Sequence, residues 1–295
     1  MAKEILVCGA GAIGIYLGTL LHAKGHNVTL LGRRKLKQIG NIILINNKIY
    51  KLPKKVHIIP KNKKYEYIFI TTKLYDLKEM IKAIQKNKLT TNNLVSIQNG
   101  LVNNHPFEKM LGGQKLIVLS VFEGFRLFEN QIIMTPTEMG WKVETTDEGK
   151  RISKLLLDAG ILCKTEENLD SFRAEKTIVN CCLNALSAIE KEPFDKLFAA
   201  KETKKRIDRL FKECYTILKQ RYKMEDADII KNRMYRTWAH MNHYSSTCQD
   251  ALSGRETEIL FLNGFLIELA KKYHLKAPEN QQIIKEFNKI YPKSR

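Results

Sequence analysis

Three groups of residues in this sequence have the types and spacing for chemistry. The first is Gly9-Ala10-Gly11-Ala12-Ile13-Gly14, a G-x-G-x-x-G run. It directly follows the apolar run Ile5–Cys8 and opens the apolar-periodic stretch Ile13–Ala23. That strand–turn–helix context is what a dinucleotide site requires. Gly9 permits the tight turn, Gly11 lets the backbone approach a pyrophosphate, and Gly14 lets helix and strand pack closely. The start of the helix offers unpaired N–H groups and a partial positive charge to the phosphates.

The second group decides which dinucleotide is expected. An NAD site places Asp or Glu about 20 residues past the motif, on the ribose 2′-hydroxyl. Here the segment reads Leu31-Gly32-Arg33-Arg34-Lys35, with no acid in reach. An acid would repel a 2′-phosphate, whereas the guanidinium of Arg33 can grip it through two parallel hydrogen bonds. The expected cofactor is NADP(H).

The third group is Lys176, Asn180 and Asn184, which recur every four residues. Each step of four drifts only about 40° around a helix, so all three share one face over roughly 12 Å. Ile178, Val179, Leu183 and Leu186 surround them, so the stripe lies on a largely buried helix, where unpartnered polar groups are costly. Its length suits a small substrate plus a nicotinamide ring. A further amide comes from Ser96-Ile97-Gln98-Asn99-Gly100, at the carboxyl end of an expected strand, where ligands of doubly wound sheets sit.

The elements that position these residues follow from apolar periodicity. At 295 residues the chain suits two domains, taking about 150 residues for each. Strands are expected at Ile5–Cys8, Val28–Leu31, Tyr67–Thr71, Leu94–Gln98 and Leu116–Val121, and helices at Ile13–Ala23, Leu77–Ile84 and Phe107–Leu111. This alternation argues for a parallel sheet with right-handed crossovers. Asn46-Asn47, flanked by Ile42–Ile45 and Ile49–Leu52, reads as a small hairpin insertion. Beyond about residue 165 the stretches 168–190, 200–222, 253–273 and 278–290 read as helices. The expected architecture is an α/β N-terminal Rossmann-type doubly wound sheet over residues 1–166 and an all-α C-terminal domain over residues 167–295. The linker falls near Lys164–Asn168, and the substrate site is expected in the cleft between the domains.

Composition narrows the class. Apolar residues make up 44% and charged residues 27%, which excludes disorder and fibrous repeats. Fifty Lys and Arg against 31 Asp and Glu give a formal net charge of +19. The lysines scatter instead of forming a tail, which reads as a solvated surface, with no specific nucleic-acid or membrane partner. The nearly uncharged run Ile5–Leu21 is interrupted by Gly9, Gly11, Gly14 and Gly18 and lacks a basic leader, so it is not read as a signal peptide. The six cysteines form no C-x-x-C pair and no zinc spacing. They read as reduced thiols of a cytoplasmic protein without a metal.

Together these motifs carry a family resemblance. The glycine run, Arg33, Thr72-Lys73, Gln98-Asn99-Gly100, the K-x-x-x-N-x-x-x-N helix and the late segment with Ser246, Gln249, Asp250 and Glu258, followed by Asn263-Gly264, occur in one order. In that order the sequence resembles the ketopantoate reductase (2-dehydropantoate 2-reductase) family over essentially its whole length. The resemblance implies NADPH-dependent reduction of 2-dehydropantoate to pantoate, a step of pantothenate and coenzyme A biosynthesis. It implies Lys176 as the general acid and Glu258 as the acidic partner in the pocket. Asn99 would lie between nicotinamide and substrate, with Asn180, Asn184 and Ser246 bonding the substrate. Gly9, Ala10, Gly11, Ala12, Ile13, Gly14, Arg33 and Lys73 would hold the cofactor. The protein would be a monomer or homodimer acting on a small 2-oxo acid.

Two further readings stay open. Val121–Arg126 and Thr135–Gly140 depart from the smaller, glycine-richer family pattern, notably at Glu123 and Arg126, which leaves room for another 2-oxo acid or an imine as substrate. A non-catalytic NADP(H) sensor binding nucleic acid would fit the +19 charge, but it leaves Lys176, Asn180, Asn184 and Glu258 unexplained.

Overall fold

The computed structural model describes residues 1–32, 39–101 and 105–292. The chain divides into two compact units, Met1–Gln98 with Val102–Leu169, and Asn99–Leu101 with Asp170–Arg295.

The first unit contains β1 (Glu4–Cys8), α1 (Ala12–Ala23), β2 (Asn27–Leu31), β3 (Ile42–Ile45), β4 (Lys48–Lys51), β5 (Lys54–Val56), β6 (Tyr67–Ile70) and α2 (Leu74–Lys86). These are followed by β7 (Asn93–Ser96), α3 (His105–Met110), β8 (Leu116–Val121), β9 (Gly124–Phe128), β10 (Gln131–Thr135), β11 (Trp141–Glu144), α4 (Asp147–Asp158) and β12 (Cys163–Glu166). Its main sheet has the order β12-β11-β8-β7-β6-β1-β2-β5. The chain leaves β1 toward β2 and later returns to the other side of β1 at β6, so the turn after β1 stands at the switch point of a doubly wound sheet. In β1, Ile5 and Val7 join one apolar cluster while Leu6 and Cys8 join the other. Both faces of the strand are covered, which explains its unbroken apolar run.

The sheet is not wholly parallel. β11 runs antiparallel to β8, because the chain between them makes the hairpin β9–β10 and no helical crossover. The hairpin at Asn46-Asn47 does form, with positive φ at both residues (43° and 67°), as a primed turn demands. It is not an isolated insertion: β3 pairs with β10, giving a second sheet ordered β4-β3-β10-β9. Residues 124–135, within the stretch read as unusual, form the hairpin β9–β10. Phe125 from it packs edge-on against Tyr16 at 5.0 Å and against Trp141 at 6.3 Å between ring centroids.

Residues 164–166, read as linker, instead lie in β12, paired in parallel with β11. Only Cys163 of that strand is fully buried, so the strand has little apolar signature.

The second unit is helical: α5 (Leu169–Glu190), α6 (Phe194–Ala199), α7 (Lys201–Leu218), α8 (Ala227–Trp238), α9 (Ser246–Leu252), α10 (Ile259–Lys272) and α11 (Pro278–Ile290). The 22-residue α5 is its axis, burying Ile178, Cys181, Cys182, Leu183 and Leu186 completely. Asn263 on α10 donates to the Cys181 carbonyl at 3.0 Å and to Asn280 Oδ1 at 2.9 Å, and Asn280 in turn donates to Glu213 at 2.8 Å. Four helices are joined by this buried amide network, which gives Asn263 a structural task. All six cysteines are free and buried, and burial pushes the Cys8 thiol up to about 12. The helix expected from residue 253 begins only at Ile259. Gly254 turns the chain with φ +63°, and Arg255 folds back onto Asp250 at 2.8 Å. This break leaves Glu258 at the N-cap of α10.

Candidate active site

The glycine turn is built by the pairing of two strands. Register β1–β6 sets Cys8 beside Ile70, so the residues that follow each strand meet. Thr71 Oγ1 donates to the Gly9 carbonyl at 2.9 Å. Gly9 has φ +125°, and a Cβ there would lie 2.6 Å from Thr71 Oγ1 and 2.9 Å from Thr72 N. At Gly14 a Cβ would fall 1.9 Å from the Gly9 carbonyl oxygen, closer than any real contact. Gly11 differs: among the described residues, nothing lies within 4 Å of the position its Cβ would take.

Gly11 is also the N-cap of α1, without a side-chain cap and without an acid in the first turn. The first-turn N–H groups are thus left for an external acceptor. A turn closed by Gly9 and Gly14 and open at Gly11 fits a pyrophosphate. Lys73 is the N-cap of α2, also without a side-chain cap hydrogen bond. Arg33, nominated for the 2′-phosphate, lies outside the described residues.

The second constellation lies entirely within the helical unit. Lys176 Nζ donates to Asn99 Oδ1 at 3.0 Å, and Asn99 Nδ2 donates to Glu258 Oε2 at 3.1 Å. Glu258 is only 4% exposed, whereas Glu256 faces solvent. Asn99 is three residues past the end of β7, yet it is grouped with the helices. Two features mark its turn. Gly100 has φ +81°, with a Cβ position only 3.2 Å from the Phe261 carbonyl oxygen, and the Gly100 carbonyl accepts from Arg173 at 3.1 Å.

Asn180, one turn beyond Lys176 on α5, has a buried Nδ2 that finds no partner among the described residues. Burying a donor without a partner is costly, so this amide calls for an explanation. Asn184, one turn further, is 6% exposed, and its backbone carbonyl accepts from Ser245 Oγ at 2.8 Å. Ser245 also caps α9 through Cys248 N at 2.9 Å, so the half-buried Ser246 begins a helix tied to the Asn184 turn. The structure thus brings Lys176, Asn99 and Glu258 into contact and sets Asn180 on the same helix.

Two contributors carried no sequence signal. Thr71 is reached only through strand pairing, and Arg173 precedes the helix motif. Glu175, next to Lys176, turns to α8 and forms a two-pronged ion pair with Arg233 at 2.7 and 2.9 Å. Burial raises the Glu175 carboxyl and Arg233 opposes that rise.

Comparison with known proteins decides the family. The family model described as "Ketopantoate reductase PanE/ApbA" matches residues 5–141, and "Ketopantoate reductase PanE/ApbA C terminal" matches residues 168–290. The chain belongs to the ketopantoate reductase family. It is an NADP-dependent oxidoreductase. A family member from Aquifex aeolicus named 2-dehydropantoate 2-reductase is 28% identical over 306 residues, covering 97% of this chain and 96% of that protein. The crystal structure of a PanE/ApbA family ketopantoate reductase from Ralstonia eutropha JMP134 superposes with a TM-score of 0.84 at 22% identity, covering 98% of each chain. A ternary structure of D-mandelate dehydrogenase with NADH and anilino(oxo)acetate shares the fold, with a TM-score of 0.80 at 20% identity and 97% coverage of each. In this ketopantoate reductase family chain, no helix among the described residues is long and apolar enough to cross a membrane.

Proposed function

We propose that this enzyme reduces the ketone of 2-dehydropantoate to give pantoate. The observation that carries the reading is the ordered chain Lys176–Asn99–Glu258, with the unmet Asn180 amide one turn away. NADPH, when bound, supplies the hydride. The backbone of Gly9, Ala10, Gly11, Ala12, Ile13 and Gly14 would hold its pyrophosphate, Arg33 its 2′-phosphate, and Lys73 would lie on the cofactor side.

As the ketone becomes an alcohol, negative charge grows on its oxygen. The Lys176 ammonium stabilises that charge and donates the proton from Nζ. Asn99 keeps the ammonium oriented through Oδ1 while Glu258 fixes the opposite end of the amide. Asn180, Asn184 and Ser246 hydrogen-bond the substrate's polar groups. Amides suit a hydroxy acid because each offers a donor and an acceptor without charge. The Aquifex relative named 2-dehydropantoate 2-reductase favours this substrate. Six free, buried thiols fit a reducing compartment, and the cytoplasm is the proposed location.

A second reading has its own support. D-mandelate dehydrogenase shares this fold, and the stretch near residues 121–140 departs from the family pattern, so another 2-oxo acid is the alternative substrate. The test is loss of reduced-nicotinamide absorbance with NADPH and a panel of 2-oxo acids. A kcat/KM for 2-dehydropantoate at least tenfold above every other member supports the first reading. Preference for a different acid establishes the second.

A further inference from the structure

We propose that Arg173 is a positioning residue of this site, acting through Gly100 and Asn99 and not on the substrate itself. The inference rests on the reading of Lys176 and Asn99 as machinery of the reaction.

Arg173 lies on α5 one turn before Lys176 and is 7% exposed. Burying a guanidinium is costly, and burial holds this one below its ordinary value, with Asp170 opposing. The ion pair to Asp170 at 3.0 Å does little to offset that cost, because the Asp170 side chain is 65% exposed and solvent screens its charge. The remaining bond explains the burial better. Nη2 donates to the Gly100 carbonyl at 3.1 Å, 73 positions away in sequence.

That carbonyl belongs to the turn carrying Asn99. Arg173 on α5 holds the turn by this bond, and the Phe261 carbonyl on α10 leaves no room for a side chain at Gly100. The hold matters because the Asn99 amide must meet two ions at once, at 3.0 and 3.1 Å. Hydrogen bonds weaken steeply once distance and angle leave a narrow range. A displacement of the turn by about 1 Å would break one bond or the other, and misplacement on that scale can cost about 10²-fold in rate. A guanidinium suits this task because it serves Asp170 and Gly100 together from one rigid plane.

The test compares full-length Arg173→Met and Arg173→Lys with Asn99→Ala and the double variants. The readouts are kcat for NADPH oxidation with 2-dehydropantoate, NADPH affinity by fluorescence, melting temperature, and hydrogen exchange of Asn99–Leu101 without ligand. Arg173→Met is expected to lower kcat by about 10–100-fold, with NADPH affinity within about twofold and faster exchange at Asn99–Leu101. Arg173→Lys, which keeps a charged donor, recovers part of the loss. In the Asn99→Ala background the Arg173 change should add less than about twofold, because both changes disable one device. Additive losses, or a folded Arg173→Met enzyme with normal kcat and a lower melting temperature alone, would overturn the proposal. If Arg173→Met does not fold, the same cycle is read with Arg173→Lys. If the wild-type enzyme leaves 2-dehydropantoate unreduced, the substrate reading fails separately, and exchange at Asn99–Leu101 still decides: faster exchange supports the positioning role, and unchanged exchange overturns it.

Discussion

Asn99 donates to Glu258 across 159 positions of sequence, at 3.1 Å. Its other amide atom accepts from the Lys176 ammonium at 3.0 Å. A primary amide has one acceptor end and one donor end, so only one orientation satisfies a cation on one side and a carboxylate on the other. The reversed amide would set N–H against ammonium and oxygen against carboxylate. The two partners therefore hold Asn99 in one pose.

Lys176→Ala removes the proposed proton donor. The expected result is a parallel fall in kcat and kcat/KM of about 10²–10⁴, the scale of general acid catalysis. NADPH binding should persist, since the glycine turn lies in the other compact unit. Steady-state kinetics with a fluorescence titration check both halves. A variant with near-normal kcat would require a different donor.

Asn180→Ala separates substrate binding from stability. The wild-type side chain buries a donor with no partner among the described residues, so its removal should leave the melting temperature unchanged or raise it. Substrate KM should rise by an amount equivalent to about 1–3 kcal/mol, the loss of one buried hydrogen bond. Asn184→Ala should also raise KM, while the bond from Ser245 persists because it ends on the Asn184 backbone carbonyl. Unchanged KM in both variants would make the stripe structural.

The glycines of the turn should respond differently. Gly14→Ala would drive a Cβ to 1.9 Å from the Gly9 carbonyl and should lower both melting temperature and NADPH affinity. Gly11→Ala meets nothing within 4 Å among the described residues, so the fold should hold while NADPH affinity falls. Calorimetry and NADPH titration of the two variants test this. If Gly11→Ala binds NADPH like the wild type, the pyrophosphate does not approach the backbone there.

Arg33→Asp tests the cofactor preference read from the sequence. Replacing a guanidinium with an acid should penalise NADPH through its 2′-phosphate and affect NADH much less. Measured as kcat/KM for each cofactor, the NADPH-to-NADH ratio should fall at least tenfold. Equal losses with both cofactors would remove Arg33 from the 2′-phosphate site.

The amino-acid sequence by itself determined what depends on near neighbours. The glycine turn, the buried strands Glu4–Cys8 and Tyr67–Ile70, the Asn46-Asn47 turn and the helix bearing Lys176, Asn180 and Asn184 were all legible. Each depends on backbone dihedrals, on alternation, or on the 3.6-residue helical period, which neighbouring residues express. Tertiary structure alone decided which distant segments meet. Thr71 reaches Gly9 because β6 pairs with β1, and Asn99 is tied to the helical unit through Arg173 on Gly100 and through its own bonds to Lys176 and Glu258. Lys164–Glu166 became a strand because β11 offered it an edge, although its residues are mostly polar. Glu258 came to Asn99 because Gly254 and the Arg255–Asp250 pair delayed the start of α10. Such meetings are made by backbone pairing and burial between segments tens of residues or more apart. Spacing within a single segment carries no trace of them.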